Sequence, residues 1–280
     1  MRRLAIAFVL IATVIFMSSG CSLISRTVIR SSFTSDIERL SAGTLKVESQ
    51  NGSISLVGWD RDYVRIEGVS HVSGMGSEQV KEFSKSLKAI WTQSPGELNI
   101  GISHEGFTMG VSFGVSMTIY LPADLYNDYR VTTSNGPLKI EGVAGNCVLR
   151  SSNGSVSISN FEGSVNSVTS NGNYSVSSSN LYGNSYLKTS NGSVTIDLQS
   201  QPSGDLEIFT SNGRAVLSLP WTTSGMVHAK TSNGTIEVKG FQSVTFNNRS
   251  KDLVDAQLNR GTGLNLTVRT SNGSITLNGD

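Results

Sequence analysis

The fold is decided by a repeat that is clearest in residues 131–176, VTTSNGPLKIEGVAGNCVLRSSNGSVSISNFEGSVNSVTSNGNYSV. The dipeptide Asn-Gly returns in each unit of this stretch and along most of the 280-residue chain. Eight of its asparagines follow the repeat, and they are Asn51, Asn135, Asn153, Asn171, Asn191, Asn212, Asn233 and Asn272. From Asn135 to Asn233 the spacings are 18, 18, 20, 21 and 21 residues. A fixed period of this length is typical of a solenoid or another regular β array.

Apolar residues keep the same places in each unit when the asparagine is taken as position zero. Positions −6, −4, +3 and +5 are mostly apolar, as in Cys147, Leu149, Val156 and Ile158 around Asn153. Polar residues fill the places between them, so each arm has the period of two that marks a half-buried strand. Position −2 is Ser or Thr in every unit. Each unit therefore predicts a strand, an Asn-Gly corner and a second strand.

Two architectures fit this pattern. In a parallel β-solenoid the units coil, equivalent corners lie about 4.8 Å apart, and the eight asparagines stack as a hydrogen-bonded ladder. In an antiparallel β-meander or sandwich each Asn-Gly is a hairpin turn. Both residues tolerate the positive φ that such corners are expected to use. Because a hairpin needs only the Asn-Gly, repetition of the whole Ser/Thr-Ser-Asn-Gly corner favours an all-β parallel solenoid of ~20-residue turns.

The two irregular spacings predict a lost copy and an insertion. The 39 residues between Asn233 and Asn272 are about two periods, which predicts a decayed copy near residues 247–252. The 84 residues before Asn135 contain residues 77–91, SEQVKEFSKSLKAIW, whose apolar residues fall on one helical face. We predict one short helix there, covering an edge or an end of the sheet.

The N-terminus has the order of a secretory signal. Arg2 and Arg3 precede an uncharged apolar stretch, and small residues then lead to Cys21. This order resembles a bacterial lipoprotein signal, in which that cysteine is acylated, although Ser18 stands where Leu is usual. Ser22 after the cysteine implies, by the same resemblance, sorting to the outer membrane. Several acyl chains on one cysteine anchor a protein stably in a membrane.

These features divide the chain into three parts. We predict a signal peptide at 1–20, an acylated cysteine and tether at 21–42, and one repeat domain at 43–280. The expected location is the cell envelope, lipid-anchored. The expected partners are the membrane, through the lipid, and a glycan or an envelope protein.

Charge excludes nucleic acid as a partner. The chain has 22 basic and 21 acidic residues, and removing 1–20 takes away two arginines, which leaves 20 and 21. A nucleic-acid binder would carry a clear basic surplus. Only 15% of the residues are charged, while 46 are serine, so the polar surface is mainly hydroxyl and amide.

No catalytic or metal-binding motif is present in the sequence. The acidic residues of the repeats are scattered: Glu141, Glu162, Asp197, Asp205 and Glu237. The three histidines lack the spacing of metal ligands, and there is no GxSxG, HExxH or phosphate-binding loop. We therefore predict no catalytic residues, no metal site and no cofactor.

Some side chains remain as structural or binding candidates. Cys147 takes an apolar position and is expected to be a packed core thiol. Position −3 gives a cationic stripe if turns stack, which is either a solvated face or a contact for anionic glycans or lipopolysaccharide: Arg150, Lys188, Lys230 and Arg269. Four tyrosines are candidates for stacking on sugars: Tyr126, Tyr129, Tyr182 and Tyr186.

The chain resembles the bacterial putative-adhesin family of domains of unknown function. The matching stretches are LKVESQNGSISLVGWDRDYVRIEG, MTIYLPADLYNDYRVTTSNGPLKIEGV and LNLTVRTSNGSITL, within about residues 37–280. The resemblance implies a β-solenoid-like envelope protein with an adhesive or scaffold role, and the family has no agreed catalytic residues that could be transferred to this sequence. We therefore expect a non-enzymatic envelope lipoprotein. The alternatives are a polysaccharide-processing enzyme on a β-helix and an accessory factor in envelope assembly or stress sensing.

Overall fold

The computed structural model describes residues 3–6, 26–38, 43–106 and 110–280, which form twenty-four strands and one helix. The elements up to the third repeat are β1 (Arg3–Ile6), β2 (Thr27–Ile37), β3 (Thr44–Asn51), β4 (Ile54–Trp59), β5 (Val64–Gly74), α1 (Ser77–Ser86), β6 (Lys88–Ser94), β7 (Glu97–Ser103), β8 (Val111–Pro122), β9 (Tyr126–Asn135), β10 (Leu138–Glu141), β11 (Ala144–Asn153) and β12 (Val156–Ser159). The remaining elements are β13 (Glu162–Asn171), β14 (Tyr174–Leu181), β15 (Ser185–Asn191), β16 (Val194–Leu198), β17 (Gly204–Asn212), β18 (Ala215–Leu219), β19 (Gly225–Asn233), β20 (Ile236–Lys239), β21 (Val244–Arg249), β22 (Leu253–Leu258), β23 (Leu264–Asn272) and β24 (Ile275–Gly279).

The repeat units stack in parallel, which confirms the predicted β-solenoid. Strands that precede a corner pair with each other and form the long-strand sheet, in spatial order β3, β9, β11, β13, β15, β17, β23 and β19. Strands that follow a corner form the short-strand sheet, in spatial order β4, β10, β12, β14, β16, β18, β24 and β20. We call a long strand, its corner and the following short strand a rung, and we name each rung by its asparagine.

The core lies between the two sheets, because the apolar positions of both strands point inward. In the Asn153 rung Leu149 and Val156 are at most 1% exposed. The Asn171 rung departs from the apolar pattern, with Ser167 at position −4 and Tyr174 at position +3. Their hydroxyl oxygens lie 2.9 Å apart. The small serine makes room for the ring, and each residue satisfies the other's buried polar atom.

The corner glycines are required by close stacking. Of the eight, only Gly52, Gly136 and Gly273 have positive φ, and no corner asparagine does, so the expectation of positive φ is wrong for most corners. A Cβ on Gly172 would instead lie 2.1 Å from the carbonyl oxygen of Gly154 in the next rung. Absence of a side chain, rather than backbone freedom, explains the glycine.

Antiparallel strands cover the N-terminal end of the stack. On the short-strand side β8 pairs in parallel with β4 and antiparallel with β5, and β5 pairs antiparallel with β2. On the long-strand side β7 pairs in parallel with β3 and antiparallel with β6, and β6 also pairs with β1. β5, β6, β7 and β8, together with α1, account for the insertion between the first two Asn-Gly corners, whereas β1 and β2 come from the chain before Asn51.

The predicted tether at 21–42 is wrong over Thr27–Ile37, which form β2. Every fourth residue of β2 is buried, beginning with Ile29 and Phe33. Half-buried serines lie between them on the inward face, so the apolar period of two is diluted and the sequence did not reveal the strand. The ring of Phe33 occupies the space beside Gly68, where a Cβ would come 2.1 Å from it.

The helix α1 is shorter than predicted and packs against β5, β2 and β8. The prediction was 77–91, but the helix ends at Ser86, whose hydroxyl donates to the carbonyl oxygen of Phe83 at 2.9 Å. The residues after it form β6, where Ala89 and Trp91 are buried by strand alternation. Apolar residues in this short stretch fit both periods, which explains the misplaced boundary.

The C-terminal rung lies inside the stack. The Asn272 rung is inserted between the Asn212 and Asn233 rungs, since β23 pairs with both β17 and β19, and β24 with both β18 and β20. The predicted decayed copy at 247–252 is wrong, because β21 and β22 form an antiparallel pair on the other edge of β19. The 39 residues between Asn233 and Asn272 therefore contain the antiparallel strands β21 and β22, which cover the end of the long-strand sheet, and the connection that leads the chain back into the stack.

The chain returns into the stack by crossing the start of β19. β22 and β23 flank β19 on opposite sides, and residues 259–263 connect them. Gly261 and Gly263 in this connection have positive φ, at 71° and 107°. A Cβ on Gly225 would lie 2.3 Å from the carbonyl oxygen of Leu264. Glycine is needed here both for the turn and for the close crossing.

The predicted signal peptide and Cys21 lie outside the described residues, apart from the backbone of β1. Within the described ranges, no helix has the length and apolar character needed to cross a membrane.

We predict that Gly172→Ala destabilises the protein by about 1–3 kcal/mol, because the added Cβ collides with the neighbouring rung's backbone. Gly101→Ala is the matched control, since a Cβ there meets nothing within 4 Å. Urea unfolding of both variants measures the free energy of unfolding. Equal effects of the two substitutions would contradict the stacking explanation.

Candidate functional surface

The eight corner asparagines lie on one line along the stack and form the asparagine ladder. Except for Asn51, which only accepts, the side-chain Nδ2 of each donates to the Oδ1 of the asparagine in the next rung toward Asn51, at 2.7–2.8 Å. The seven bonds run without a break from Asn233 through Asn272 to Asn51. All have the same direction, so each bond polarises the next.

A second line of hydrogen bonds lies beneath the ladder. At position −2, the threonine hydroxyls of five rungs donate to the carbonyl oxygen of the corner glycine in the adjacent rung. Thr189, for example, donates to Gly172 at 2.9 Å. These threonines are buried. The corner polar groups therefore serve largely to join rungs, and the outward strand positions are the surface open to other molecules.

Position −3 faces outward on the long-strand sheet and carries a cluster of cations around an aromatic ring. Lys188, Phe209, Arg269 and Lys230 lie side by side in consecutive rungs, and we call these four residues the cationic line. The Arg269 guanidinium lies 5.9 Å from the centroid of the Phe209 ring. Tyr186 packs on the other side of this ring, with centroids 5.5 Å apart.

The structure places only three of the four predicted stripe residues together. Arg150 lies two rungs from Lys188, with Val168 between them. Sequence reasoning missed Phe209 because it sought charge alone. It also missed that Arg269 lies directly between Phe209 and Lys230, since this order depends on the inserted rung.

Outward lysines elsewhere on the stack are paired with a glutamate two residues away on the same strand. The lysine Nζ and glutamate oxygen are 2.8 Å apart in Lys46–Glu48, 2.6 Å in Lys139–Glu141 and 3.1 Å in Lys239–Glu237. The three cations of the cationic line have Tyr, His, Thr or Ser at those places. Among the described residues, none of the three forms an ion pair. The positive charges of these three side chains are therefore available to an anion from outside the protein.

A second aromatic cluster lies near the N-terminal end of the short-strand sheet. Trp59 stacks on Tyr120 with centroids 5.2 Å apart, and the Arg65 guanidinium lies 5.6 Å from the Trp59 ring. Arg65 makes two hydrogen bonds to Asp36, at 2.7 and 2.8 Å. These hydrogen bonds hold the pKa of the Asp36 carboxyl below its usual value. The charge of this cluster is thus neutralised within the protein.

The acidic residues of the repeats do not converge. Glu141 and Asp197 share one line of the short-strand sheet, but Ser159 and Ser177 lie between them. Asp205 accepts a hydrogen bond from an asparagine of the adjacent rung, and Glu237 is paired with its own lysine. In the described part of the chain, no three His, Cys, Asp or Glu side chains form a group that could hold a metal ion.

The remaining candidates are divided between core and surface. Cys147 is buried, and burial raises the pKa of its thiol, so it is a packed core residue. Tyr129 is also fully buried, and its hydroxyl donates to a backbone carbonyl. Tyr182 is exposed, while Tyr186 belongs to the Phe209 contact. The side chain of Tyr126 lies outside the described residues.

We predict that Asn171→Ala lowers the free energy of unfolding by about 1–2 kcal/mol, because it removes two ladder bonds. Asn233→Ala at the end of the ladder removes one bond and should cost about half as much. Ser170→Ala, on the neighbouring exposed position, is the control. Urea unfolding checks all three, and equal losses for Asn171 and Asn233 would contradict a continuous ladder.

Comparison with known proteins gives the family. The Toastrack DUF4097 family model matches residues 34–278, which confirms the family resemblance found in the sequence. None of the curated proteins compared with the chain matches it. A solved structure of a putative cell adhesion protein from Clostridium sporogenes is 12% identical, with a TM-score of 0.38, and covers 90% of this chain and 100% of that one. A putative adhesin from Bacteroides fragilis is 13% identical, with a TM-score of 0.24, and covers 88% and 96%. The chain belongs to the Toastrack DUF4097 family.

Proposed function

We propose that the protein is a non-enzymatic interaction module of the bacterial cell envelope, adhesin-like or scaffolding, held at the membrane by a lipid on Cys21. The observation that carries this proposal is the uninterrupted stack of eight rungs joined by the asparagine ladder. Such a stack presents outward side chains in lines at a fixed strand spacing of about 4.8 Å. A rigid array of this kind suits contacts with a repetitive or extended partner.

The placement of the acidic residues supports a binding role over catalysis. Glycan-cleaving enzymes of the common types use two carboxyl groups facing each other across the scissile bond. In the repeats the acids are separated by serines or bonded to neighbours, as Glu141 is to Lys139. Polar groups at the corners are used between rungs. The chemistry left on the surface is that of recognition.

The sequence before the domain supports the anchor. Arg2 and Arg3, the apolar stretch after them and the small residues before Cys21 follow the order of a lipoprotein signal. The family match begins at residue 34 and β2 begins at Thr27, so residues 22–26 lie between the cysteine and the folded domain and would serve as a short attachment. The residue after the cysteine is Ser22, and this residue supports sorting of the lipoprotein to the outer membrane.

The anchor is tested by labelling bacteria with a clickable fatty acid. Wild-type protein should take up label and fractionate with membranes, and Cys21→Ala should lose both. Cys147→Ala is the matched control, because the only other cysteine of the chain is buried and should leave labelling unchanged. Label on Cys21→Ala, or none on the wild type, contradicts the lipid anchor.

The interaction role is tested with full-length protein and isolated cell envelopes. We expect saturable retention of the protein on the envelopes and no release of new reducing ends from their polysaccharide. Gly172→Ala protein, with a disturbed stack, serves as the control and should be retained less. Absence of any retention would refute the proposal, and reducing ends released in proportion to protein would show an enzyme.

A further inference from the structure

We propose that the cationic line binds an acidic polysaccharide, with Arg269 holding a sugar carboxylate and Phe209 supporting the adjacent ring. The inference rests on the proposed function and names the ligand class of that surface. The ligand is defined by its chemistry, a chain of sugar rings that carry carboxylates.

The three cations of the cationic line carry unpaired charge. Lys188, Arg269 and Lys230 lie within four consecutive rungs and form no ion pair among the described residues, although outward lysines elsewhere on the stack do. Like charges this close repel each other, and an anion relieves the repulsion. The Asp252 carboxylate accepts a hydrogen bond from the Ser250 hydroxyl at 2.7 Å, and in the described part of the chain it forms no ion pair with Lys230. The pKa of its carboxyl is lowered first by the Ser250 hydroxyl, and Lys230 adds less.

An aromatic ring faces outward in the middle of the cationic line. Phe209 is a half-buried apolar residue on a strand position that is polar in most other rungs. Its ring is framed by Tyr186 on one side and by the Arg269 guanidinium on the other. This contact orients the guanidinium, whose fork matches a carboxylate with two parallel hydrogen bonds. An apolar ring beside an oriented fork fits an acidic sugar better than it fits a simple ion.

The shape of the surface suits an extended ligand. The four residues line one shallow groove together with the exposed hydroxyls of Ser211, Ser232 and Ser271. Lys188 and Arg269 are two rungs apart, about 10 Å along the stack, and Lys230 is one rung further. The groove therefore crosses the strands and follows the stack axis. An extended polymer can contact several cations there at once.

The topology explains why the site forms at this place. Arg269 comes from the C-terminal rung, which is inserted next to Phe209. If the rungs stacked in chain order, Phe209 would lie beside Lys230, and no arginine guanidinium would lie over the Phe209 ring. The inserted rung thus brings together side chains that are about sixty residues apart in sequence.

The test uses full-length protein in an uncharged detergent and measures binding of three polymers by calorimetry. Polygalacturonate has a carboxylate on every sugar, dextran has sugars without charge, and poly-L-glutamate has carboxylates without sugars. We expect polygalacturonate to bind best, and its binding to weaken between about 50 and about 500 mM salt, since exposed charges are screened.

Four variants separate the site from general charge. Arg269→Gln should weaken polygalacturonate binding by about tenfold or more, and Arg269→Lys should recover only part of it, because a lysine lacks the fork. Phe209→Thr should weaken binding several-fold without changing charge. Lys139→Gln removes the same charge from a lysine that is already paired, and should change binding by less than about twofold. Urea unfolding checks that each variant is folded.

The results distinguish this inference from the proposed function. Equal effects of Arg269→Gln and Lys139→Gln, no effect of Phe209→Thr, or equally tight binding of dextran or poly-L-glutamate would overturn the acidic-sugar site. If the Arg269 and Phe209 variants are still retained fully on cell envelopes, the interaction role stands and this site falls. If wild-type protein binds polygalacturonate but not envelopes, the site stands and the envelope role falls.

Discussion

Direct stacking of one backbone on the next at the corners is the constraint on which the structure depends. Adjacent corners come so close that a single Cβ has no room, as the 2.1 Å approach at Gly172 shows. That closeness lets each asparagine side chain reach the next rung, and lets Thr189 and its equivalents donate to the carbonyl of the glycine beside them. The strands before and after each corner are therefore held in register with those of the next rung, and in this register the apolar residues face inward.

Stacking in register turns each sequence position into a line on the surface. Where the residues of a line are similar, as with the corner asparagines, the line stabilises the stack. Where they differ, as at position −3, the line can gather side chains of complementary chemistry. The cationic line is such a case, since Phe209 lies beside Arg269 on one strand and beside Lys188 on the other. A repeat fold can thus acquire a local site without interrupting its core, because only outward positions change.

The repeat predicted the solenoid and the inward positions, since both follow from periodicity and from the Asn-Gly corners. Elements outside the repeat were harder to predict. β2 was missed because serines dilute its inward face, and the end of α1 was misplaced because apolar residues from 87 to 91 fit both a helix and a strand. The reason for glycine at the corners was also misjudged, because a sequence shows that a side chain is absent but not which atom would collide with it.

The order of the rungs was beyond prediction for a deeper reason. Each rung offers the same edge pattern, so β23 fits between β17 and β19 as well as it would fit at the end, with Thr270 and Asn272 matching both neighbours. The connections must therefore decide the order. Residues 220–224 connect β18 of the Asn212 rung to β19 of the Asn233 rung and so pass the Asn272 rung that lies between them. This connection is hydrogen-bonded to Asp280: the backbone N–H of Trp221 donates to the carbonyl oxygen of Asp280, and the backbone N–H of Asp280 donates to that of Leu219. The return at 259–263 depends on glycines in positive φ. The placement of Arg269 beside Phe209, and with it the chemistry of the surface, is thus determined by loops that carry no repeat signal at all.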